Sequence, residues 1–290
     1  MKIIRIYAAS IILIIFLFIN LFIWSAVFAS EKDGVLTVAF LDVGQGDAIF
    51  IEAPNGNQML IDGGRNAAVL RELGKVMSFS DHSIDVVITT HPDKDHIAGL
   101  IDVFERYDVT TYLDPGVMHD TGEYQTLLGM VEKEGITPIH ARRGMKILLD
   151  NSVDEEVFAE ILFPDRDVSG VETNLGSIVL RVVYGETEVM LTGDSPKSIE
   201  KYLVSIDGEK LQSDILKAGH HGSKTSTIES FVGFVNPEFT IISAGKDNSY
   251  GHPHEDVMEI FKQLGIETIN TADVGTIIFT SDGTSVQYKK

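Results

Sequence analysis

The stretch Thr90-His91-Pro92-Asp93-Lys94-Asp95-His96 holds two imidazoles and two carboxylates directly after the apolar residues 85–89. A strand that runs into such a loop aims several ligand groups at one point, and imidazole with carboxylate suits zinc, manganese or iron. The spacing lets one ion take His91 and Asp93 and a second ion take Asp95 and His96. We therefore predict a metal site. The alternative is a solvated loop in which Asp95 caps the next helix.

Two further groups of polar residues follow predicted strands. Asp194 ends the run Thr192-Gly193-Asp194, where a carboxylate can bridge two metal ions or cap a helix that starts at Pro196. His220 and His221 stand between two glycines directly after residues 214–218. We predict His220 as a metal ligand and His221 as a catalytic or substrate-facing group, and the reverse assignment stays open.

The composition limits the chemistry and the partners of the chain. Among 290 residues there is no cysteine, which excludes disulfides, thiolate ligands and cysteine nucleophiles. The net charge is −20, and an acidic surface repels polyphosphate at long range. Any contact with nucleic acid must therefore be local, and the charge itself indicates a soluble, globular surface.

The first 30 residues are set apart from the rest of the chain. Lys2 and Arg5 precede the apolar residues 6–29, and Glu31 and Asp33 follow them. This charge order predicts a single membrane anchor with its N-terminus inside the cell. A secretory signal cleaved after Ala29 is the alternative. Both readings put residues 34–290, which we predict to form one domain, outside the cytoplasm.

Residues 34–290 alternate strand-like and helix-like patterns. Apolar alternation and turn signals predict strands over residues 35–43, 47–53, 58–62, 84–89, 156–163, 177–184, 188–192, 214–218, 239–243, 275–280 and 284–288. Apolar residues at helical spacing predict helices over residues 67–79, 97–107, 122–134, 196–204 and 255–264. Such alternation predicts an α/β (α+β) domain of two mixed sheets with helices outside.

Several of these segments together resemble the metallo-beta-lactamase superfamily, and more narrowly the metallo-hydrolase domain of ComEC-type competence proteins. The segments that carry the resemblance are residues 40–48, 60–64, 90–99, 174–180, 191–194, 216–226 and 250–254. The resemblance implies an αββα sandwich with the site at the sheet edges. It also implies two divalent metal ions, zinc or manganese, on a ligand set of His91, Asp93, Asp95, His96, Asp194 and His220.

The chain departs from the wider superfamily at two points. Asp93 stands where the usual motif has its middle histidine, and no histidine is evident between that loop and Asp194. Asn174, shortly before Ser177, occupies that region as a weaker ligand. Because an extra carboxylate favours a harder ion, manganese becomes a serious alternative to zinc.

Further residues receive roles mainly from the resemblance. We expect Asp95, His221 and His252 to be catalytic, with His252 as ligand or proton donor. Asp47 and Asp62 either support the loop over residues 90–96, here called the metal loop, through hydrogen bonds or serve only as turn residues. The predicted substrate-binding residues are Asn174, Ser177, Ser223 and Lys224.

The resulting functional prediction is a metal-dependent hydrolase, most simply a phosphodiesterase or nuclease outside the cytoplasmic membrane. The resemblance implies single-stranded DNA as substrate, as in competence-related DNA uptake, and a separate channel protein as partner, because the chain has only one predicted span. One alternative is hydrolysis of carboxyl esters, lactones or thioesters on the same centre. Another is a DNA-binding module without catalysis.

Overall fold

The protein is described by a computed structural model that covers residues 11–21, 34–152 and 155–289. Residues 34–290 form one compact unit, and residues 1–33 form another. Residues 11–21 are helical and exposed. Within the covered ranges no helix is long and apolar enough to cross a membrane. The predicted cleavage point after Ala29 and most of the predicted anchor lie outside those ranges.

Fifteen strands and seven α-helices make up the described part of the larger unit. The strands are β1 (Leu36–Phe40), β2 (Ile49–Glu52), β3 (Gln58–Ile61), β4 (Ser83–Ile88), β5 (Asp108–Asp114), β6 (Ile139–His140), β7 (Lys146–Asp150), β8 (Val157–Phe163), β9 (Val179–Tyr184), β10 (Thr187–Leu191), β11 (Ile215–Lys217), β12 (Phe239–Ile242), β13 (Glu267–Asn270), β14 (Ile277–Ser281) and β15 (Val286–Lys289). The helices are α1 (Ala68–Val76), α2 (Lys94–Arg106), α3 (Gly122–Lys133), α4 (Lys197–Asp207), α5 (Glu229–Val235), α6 (Glu255–Leu264) and α7 (Thr271–Val274).

The strands form two mixed sheets. The first has the order β15-β14-β1-β2-β3-β4-β5-β6 and the second β13-β12-β11-β10-β9-β8-β7. Phe40 and Phe279 of the first sheet and Ile241 of the second belong to one buried apolar cluster between the sheets. Because successive side chains on a strand point to opposite faces, each sheet has a second apolar face, and helices cover it. The predicted αββα sandwich is confirmed.

Helices cover both outer faces through separate apolar clusters. Leu100 and Val103 of α2 pack with Leu60 and Val87 of the first sheet. On the other side, the helices α4, α5 and α6 pack against the second sheet through Leu203, Phe231 and Phe261. These helices hold the loops that precede them against the sheet edge.

Six elements are not predicted by the sequence pattern: β5, β6, β7, β13, α5 and α7. In β5 the polar residues Asp108, Thr110 and Thr111 are exposed or half-buried, and Val109 is the single buried position before the last three, so its apolar alternation is weak. β7 is an edge strand with exposed residues, β13 is four residues long, and α5 has only seven residues. The predicted strand over residues 47–53 starts at Ile49, since Asp47 belongs to the turn before it.

Parallel strands bring the groups of polar residues to one edge of the sheets. β3 runs parallel to β4, and β10, β11 and β12 run parallel to one another. The carboxyl ends of parallel strands meet at the same edge of a sheet, which is where open α/β folds place their sites. Asp62, His91, Asp194 and His220 all follow such ends, so the topology gathers them.

A glycine contact holds the metal loop in place. Gly99 of α2 lies against the Gly63 and Asn66 carbonyl oxygens, and a Cβ added at Gly99 would overlap both. The turn after β3 and the helix that carries the loop residues are therefore clamped together backbone to backbone. A side chain at this position requires one of the two to move away.

Gly99→Ala is expected to destabilise the fold by about 3 kcal/mol, because overpacking a backbone contact forces backbone shifts. Gly129→Ala is the matched control, since nothing lies within 4 Å of the position in the middle of α3. It should stabilise the protein by roughly 0.5–1 kcal/mol through helix propensity. Urea unfolding measures both. Equal effects of the two substitutions would show that the contact does not matter.

Glu200 ties the loop after β11 to α4. Its side chain is buried and accepts hydrogen bonds from Thr227 N (2.6 Å) and Ile228 N (2.8 Å), the residues just before α5. Thr227 has a left-handed φ of 63°. Burial raises the pKa of Glu200 from 4.5 to about 7 despite these two bonds. The carboxyl group therefore folds preferentially in its protonated form.

The sign of the pH effect follows from this raised pKa. The contribution of Glu200 to stability is complete below pH 4.5 and is lost as the pH rises through about 7. The unfolding free energy of wild type relative to Glu200→Gln should fall by on the order of 3 kcal/mol over that window. Urea titrations at several pH values measure the difference. A difference that stays constant, or that grows with pH, contradicts the burial argument.

Candidate metal centre

Three groups of polar residues that are far apart in the sequence meet at the sheet edge. The Asp194 Oδ2 atom lies 3.8 Å from His91 Nε2 and 3.6 Å from His221 Nε2. The Asp194 Oδ1 atom lies 3.4 Å from His96 Nε2. Asp194, His91, His96 and His221 are all buried. The carboxylate after β10 is thus the point on which imidazoles from the β4 and β11 loops converge.

The polar atoms that face this point have no hydrogen-bond partner. Among the residues that the structure describes, four such atoms belong to the cluster: His91 Nε2, His96 Nε2, His221 Nε2 and Asp194 Oδ1. Leaving buried polar atoms unpaired is costly, and native proteins rarely do so. Two ligand atoms bound tetrahedrally to one zinc-sized ion lie about 3.4 Å apart, close to the observed spacing. The residues therefore fit divalent metal ions.

The ligand atoms divide into overlapping groups. His91, His96 and Asp194 form one group, and Asp95, His96 and His221 form another, with all ligand atoms of a group within 4.8 Å of one another. Asp47 joins Asp194 and His221 in a further group. Because His96 and Asp194 each occur in more than one group, the cluster has room for two neighbouring ions rather than one.

The pKa shifts of His91 and Asp194 agree with ligand roles, whereas the effect of burial on His96 is outweighed by Asp194 and Asp62, which raise the pKa of His96. Burial, together with His96 nearby, lowers the pKa of His91 well below its usual value, so this imidazole is neutral and can donate a lone pair. Burial alone would raise the pKa of Asp194, but the surrounding imidazoles of His221 and His96 hold it well below its usual range. Both groups are therefore in the protonation state that metal binding requires.

Asp62 orients the metal loop. Its Oδ1 accepts a hydrogen bond from Thr90 N (2.8 Å), and its Oδ2 accepts one from Thr90 Oγ1 (2.6 Å) and faces His96 Nδ1 at 2.7 Å. Burial raises the pKa of Asp62, although His96 opposes the shift. A carboxylate on Nδ1 leaves His96 Nε2 pointing at the centre. Of the two predicted roles of Asp62, the support of the loop is the observed one.

Asp47 stands beneath the centre beside a buried lysine. Lys217 Nζ donates to Asp47 Oδ2, and both side chains are buried. Burial alone would raise the pKa of Asp47, but Lys217 and His221 lower it. The sequence predicts no role for Lys217. The local signal is a charge that ends the apolar strand directly before the double histidine, and it does not distinguish a buried lysine from a solvated one.

The two histidines after β11 differ in their surroundings. His221 is buried, with Nδ1 3.3 Å from Asp47 Oδ1 and Nε2 3.7 Å from Asp95 Oδ2. The side chain of His220 is 26% exposed, with Nε2 3.5 Å from Asp194 Oδ2 and Nδ1 3.1 Å from Thr225 Oγ1. Both residues have left-handed φ angles, 49° and 56°, so a tight turn aims both rings inward.

His252 lies beside this pair. Its ring centroid is 5.6 Å from that of His220 and 6.4 Å from that of His221. Burial and these two imidazoles lower the pKa of His252 to about 4. At neutral pH the ring is therefore uncharged, which suits the predicted role of ligand and disfavours the predicted role of proton donor.

The remaining predicted residues surround the centre at different depths. Asp93 is partly exposed, and its Oδ2 lies 3.7 Å from His91 Nε2. Asn174 Oδ1 and Ser177 Oγ are buried without partners among the described residues, next to Ile178, whose N donates to Thr90 O. Ser223 Oγ lies 3.0 Å from Thr225 Oγ1, and Lys224 is exposed.

Comparison with known proteins agrees with this geometry. Residues 41–246 match the model of the metallo-beta-lactamase superfamily. ComE operon protein 3 of Bacillus subtilis is 29% identical over 257 residues, which are 83% of this chain and 32% of that protein. Competence protein ComA of Neisseria gonorrhoeae is 30% identical over 253 residues, 86% of this chain and 32% of that protein. The chain thus spans about a third of the length of these relatives.

Solved structures show the same fold at lower identity. Igni18, a metallo hydrolase from Ignicoccus hospitalis, aligns with a TM-score of 0.55 at 15% identity over 84% of this chain and 98% of that one. The metallo-beta-lactamase fold protein YhfI from Bacillus subtilis aligns with a TM-score of 0.51 at 13% identity, over 81% and 95%. The predicted resemblance to ComEC-type competence proteins is confirmed. The chain belongs to the metallo-beta-lactamase superfamily, as a metal-dependent hydrolase.

Proposed function

We propose that the chain hydrolyses phosphodiester bonds, with a single DNA strand as substrate, on the outer side of the cytoplasmic membrane. One observation carries the proposal. The two oxygens of Asp194 face different imidazoles, Oδ1 towards His96 and Oδ2 towards His91 and His221. A carboxylate shared in this way suits a pair of metal ions, and paired ions are the usual means of stabilising both oxygens of a phosphoryl displacement.

The ligands of the two ions are assigned from the distances given above, and His96, which shares a group with His91 and another with Asp95, is placed with Asp95. We assign His91, Asp93 and Asp194 to one ion, and Asp95, His96, His221 and Asp194 to the other. Zinc and manganese both suit these nitrogen and oxygen donors. When bound, such ions supply Lewis-acid polarisation of the phosphoryl oxygen and a water of lowered pKa. This assignment exchanges the roles predicted for His220 and His221, because both ring nitrogens of His221 already face carboxylates.

His220 and His252 are left to act on the substrate side of the centre. The side chain of His220 is partly exposed, and Thr225 holds its Nδ1. His252 is uncharged at neutral pH because its pKa is lowered to about 4 by burial and by the neighbouring imidazoles. Its Nδ1 is buried and unpartnered among the described atoms, so this nitrogen is available for a hydrogen bond with the substrate or for a metal ion. Asn174 and Ser177 line the side next to Thr90.

The relatives support the substrate and the location. The relative from Neisseria gonorrhoeae is named a competence protein, and both relatives are about three times as long as this chain. We propose a membrane channel protein as the partner and single-stranded DNA as the substrate. The charge order around residues 6–29 favours an anchor with the catalytic unit outside the cell.

Asp194→Asn is expected to lower metal content to less than half and to reduce turnover of bis(p-nitrophenyl) phosphate at least about 100-fold, since the shared ligand is lost. The purified chain is loaded with manganese or with zinc. Metal content is measured by mass spectrometry, and turnover by release of nitrophenolate. Single-stranded DNA is then tested in place of the reporter.

Asp108→Asn is the matched control, because Asp108 is exposed at the opposite, amino-terminal end of β5. It should leave metal content and turnover unchanged. Turnover of p-nitrophenyl acetate without turnover of the phosphodiester would move the assignment to acyl hydrolysis. Metal binding without either activity would indicate a binding module. Metal content unaffected by Asp194→Asn would overturn the site itself.

The buried Lys217–Asp47 pair positions a ligand in this scheme. Asp47 Oδ1 lies 3.3 Å from His221 Nδ1, and a carboxylate on one ring nitrogen directs the other towards a metal. Lys217 in turn holds Asp47 Oδ2. An unpaired buried carboxylate would be free to turn towards the ions instead, and the orientation of His221 would be lost.

Lys217→Met keeps much of the apolar stem and removes the charge. We expect it to weaken metal affinity about 10–100-fold and to destabilise the fold by about 3–5 kcal/mol, because a buried charge loses its partner. The double variant Asp47→Asn/Lys217→Met removes both charges and should recover much of the stability but not the metal affinity. Calorimetric metal titration and urea unfolding separate the two effects. Lys201→Met, on the exposed face of α4, is the control. Recovery of full metal affinity in the double variant would contradict the positioning role of Asp47 and Lys217.

A further inference from the structure

A cavity of about 320 Å³ opens beside the metal centre. Its polar lining comes from the loop after β1, the turn after β3 and the loop after β12, through Gln45, Arg65, Asn66, Asp247, Asn248 and Tyr250. This volume lies near the lower end of the range for small-ligand sites. The cavity therefore has room for a small unit rather than for a long run of polymer.

Two contacts connect the cavity to the centre. Gly46, next to Gln45, packs so closely on the backbone of Asp95 that a Cβ at Gly46 would overlap the Asp95 carbonyl oxygen. The Tyr250 ring stacks on His252, with centroids 5.7 Å apart and planes at 24°. A ligand in the cavity is thus adjacent both to a predicted metal-ligand loop and to the imidazole on the substrate side.

The wall next to His252 is held by hydrogen bonds. Asn248 Nδ2 donates to His252 O (2.6 Å), and His252 N donates to Asn248 Oδ1 (3.0 Å). Gly245 N donates to Gln45 Oε1 (3.3 Å), which ties the loop after β12 to the loop after β1. The two sides of the cavity are therefore joined to each other and to His252.

Two side chains of the lining remain open to a ligand. Tyr250 is 59% exposed, so the ring has free surface beyond its contact with His252. Arg65 is exposed and has no ion-pair partner among the residues that the structure describes. Asp247 also lines the cavity, and its charge disfavours an anion at its own position. An anion would therefore bind on the Arg65 side.

An exposed aromatic ring and an unpaired guanidinium in one small cavity match the two halves of a nucleotide. Bases stack on aromatic side chains regardless of sequence, and arginine binds phosphate oxygens through its planar fork. With a net charge of −20 the chain has no broad attraction for nucleic acid. Local recognition of this kind is then required.

We propose that the cavity binds one nucleotide of a single strand next to the bond that is cut, with the base on Tyr250 and a neighbouring phosphate on Arg65. The proposal rests on the phosphodiesterase function proposed above and names where its substrate is recognised. Recognition of this kind does not depend on base identity, so the strand is bound without sequence preference.

The test compares a base-bearing strand with an abasic strand on the metal-loaded full chain. Both strands are short, fluorescently labelled and linked by phosphorothioates, which resist hydrolysis, and binding is followed by anisotropy. The wild type should bind the oligothymidylate about tenfold more tightly than the abasic strand. Tyr250→Ala should abolish this preference, and Tyr250→Phe should keep it. Arg65→Met should lower the affinity for both strands alike and reduce the salt dependence of binding.

Phe79→Ala and Arg106→Met are the matched controls, because both residues are exposed and neither lines the cavity. They should leave both affinities unchanged. The cavity assignment is wrong if Tyr250→Ala lowers the affinity for the two strands equally, or if it lowers the affinity for neither. Failure of the loaded enzyme to cut any phosphodiester would instead overturn the proposed function, and the difference between base-bearing and abasic strands separates these two outcomes.

Discussion

His91, His96 and His221 converge on the carboxylate of Asp194, and this convergence governs how the surrounding segments are arranged. The atoms that meet there are buried, and none of the four inward-facing ones has a hydrogen-bond partner among the described residues. Such an arrangement is unfavourable without a cation, because polar atoms are removed from water and left unpaired. Metal binding therefore contributes to the stability of this edge as well as to its chemistry.

The surrounding structure keeps those atoms in place. Asp62 binds Thr90 and faces His96 from below the loop, while Lys217 and Asp47 stand behind His221. The contact of Gly99 with the turn after β3 allows α2 to approach closely enough for this. Each device fixes the orientation of a ring or of the segment that carries it, so the ligands are arranged before any ion arrives.

Much of this could be predicted from local sequence. Residues 90–96 concentrate ligand groups within one loop, and Asp194 and the double histidine each follow an apolar strand, so their approximate roles follow from composition and spacing. Lys217 could not be assigned in this way, because a lysine at a strand end is usually solvated. The order of His220 and His221 was equally open, because both are adjacent in the chain and only a left-handed turn separates their surroundings.

The sequence predicts two mixed sheets with helices outside, the strand–loop–helix unit around His91, and a donor set without sulfur. These features depend on periodicity and on residue chemistry, which are local properties. Long-range packing is needed to pair Asp47 with Lys217 beneath the centre across 170 residues of chain and to place Arg65 and Tyr250 in one cavity. Such contacts depend on strand order between and within the two sheets. Strand order is a long-range outcome of packing that no single stretch of sequence specifies.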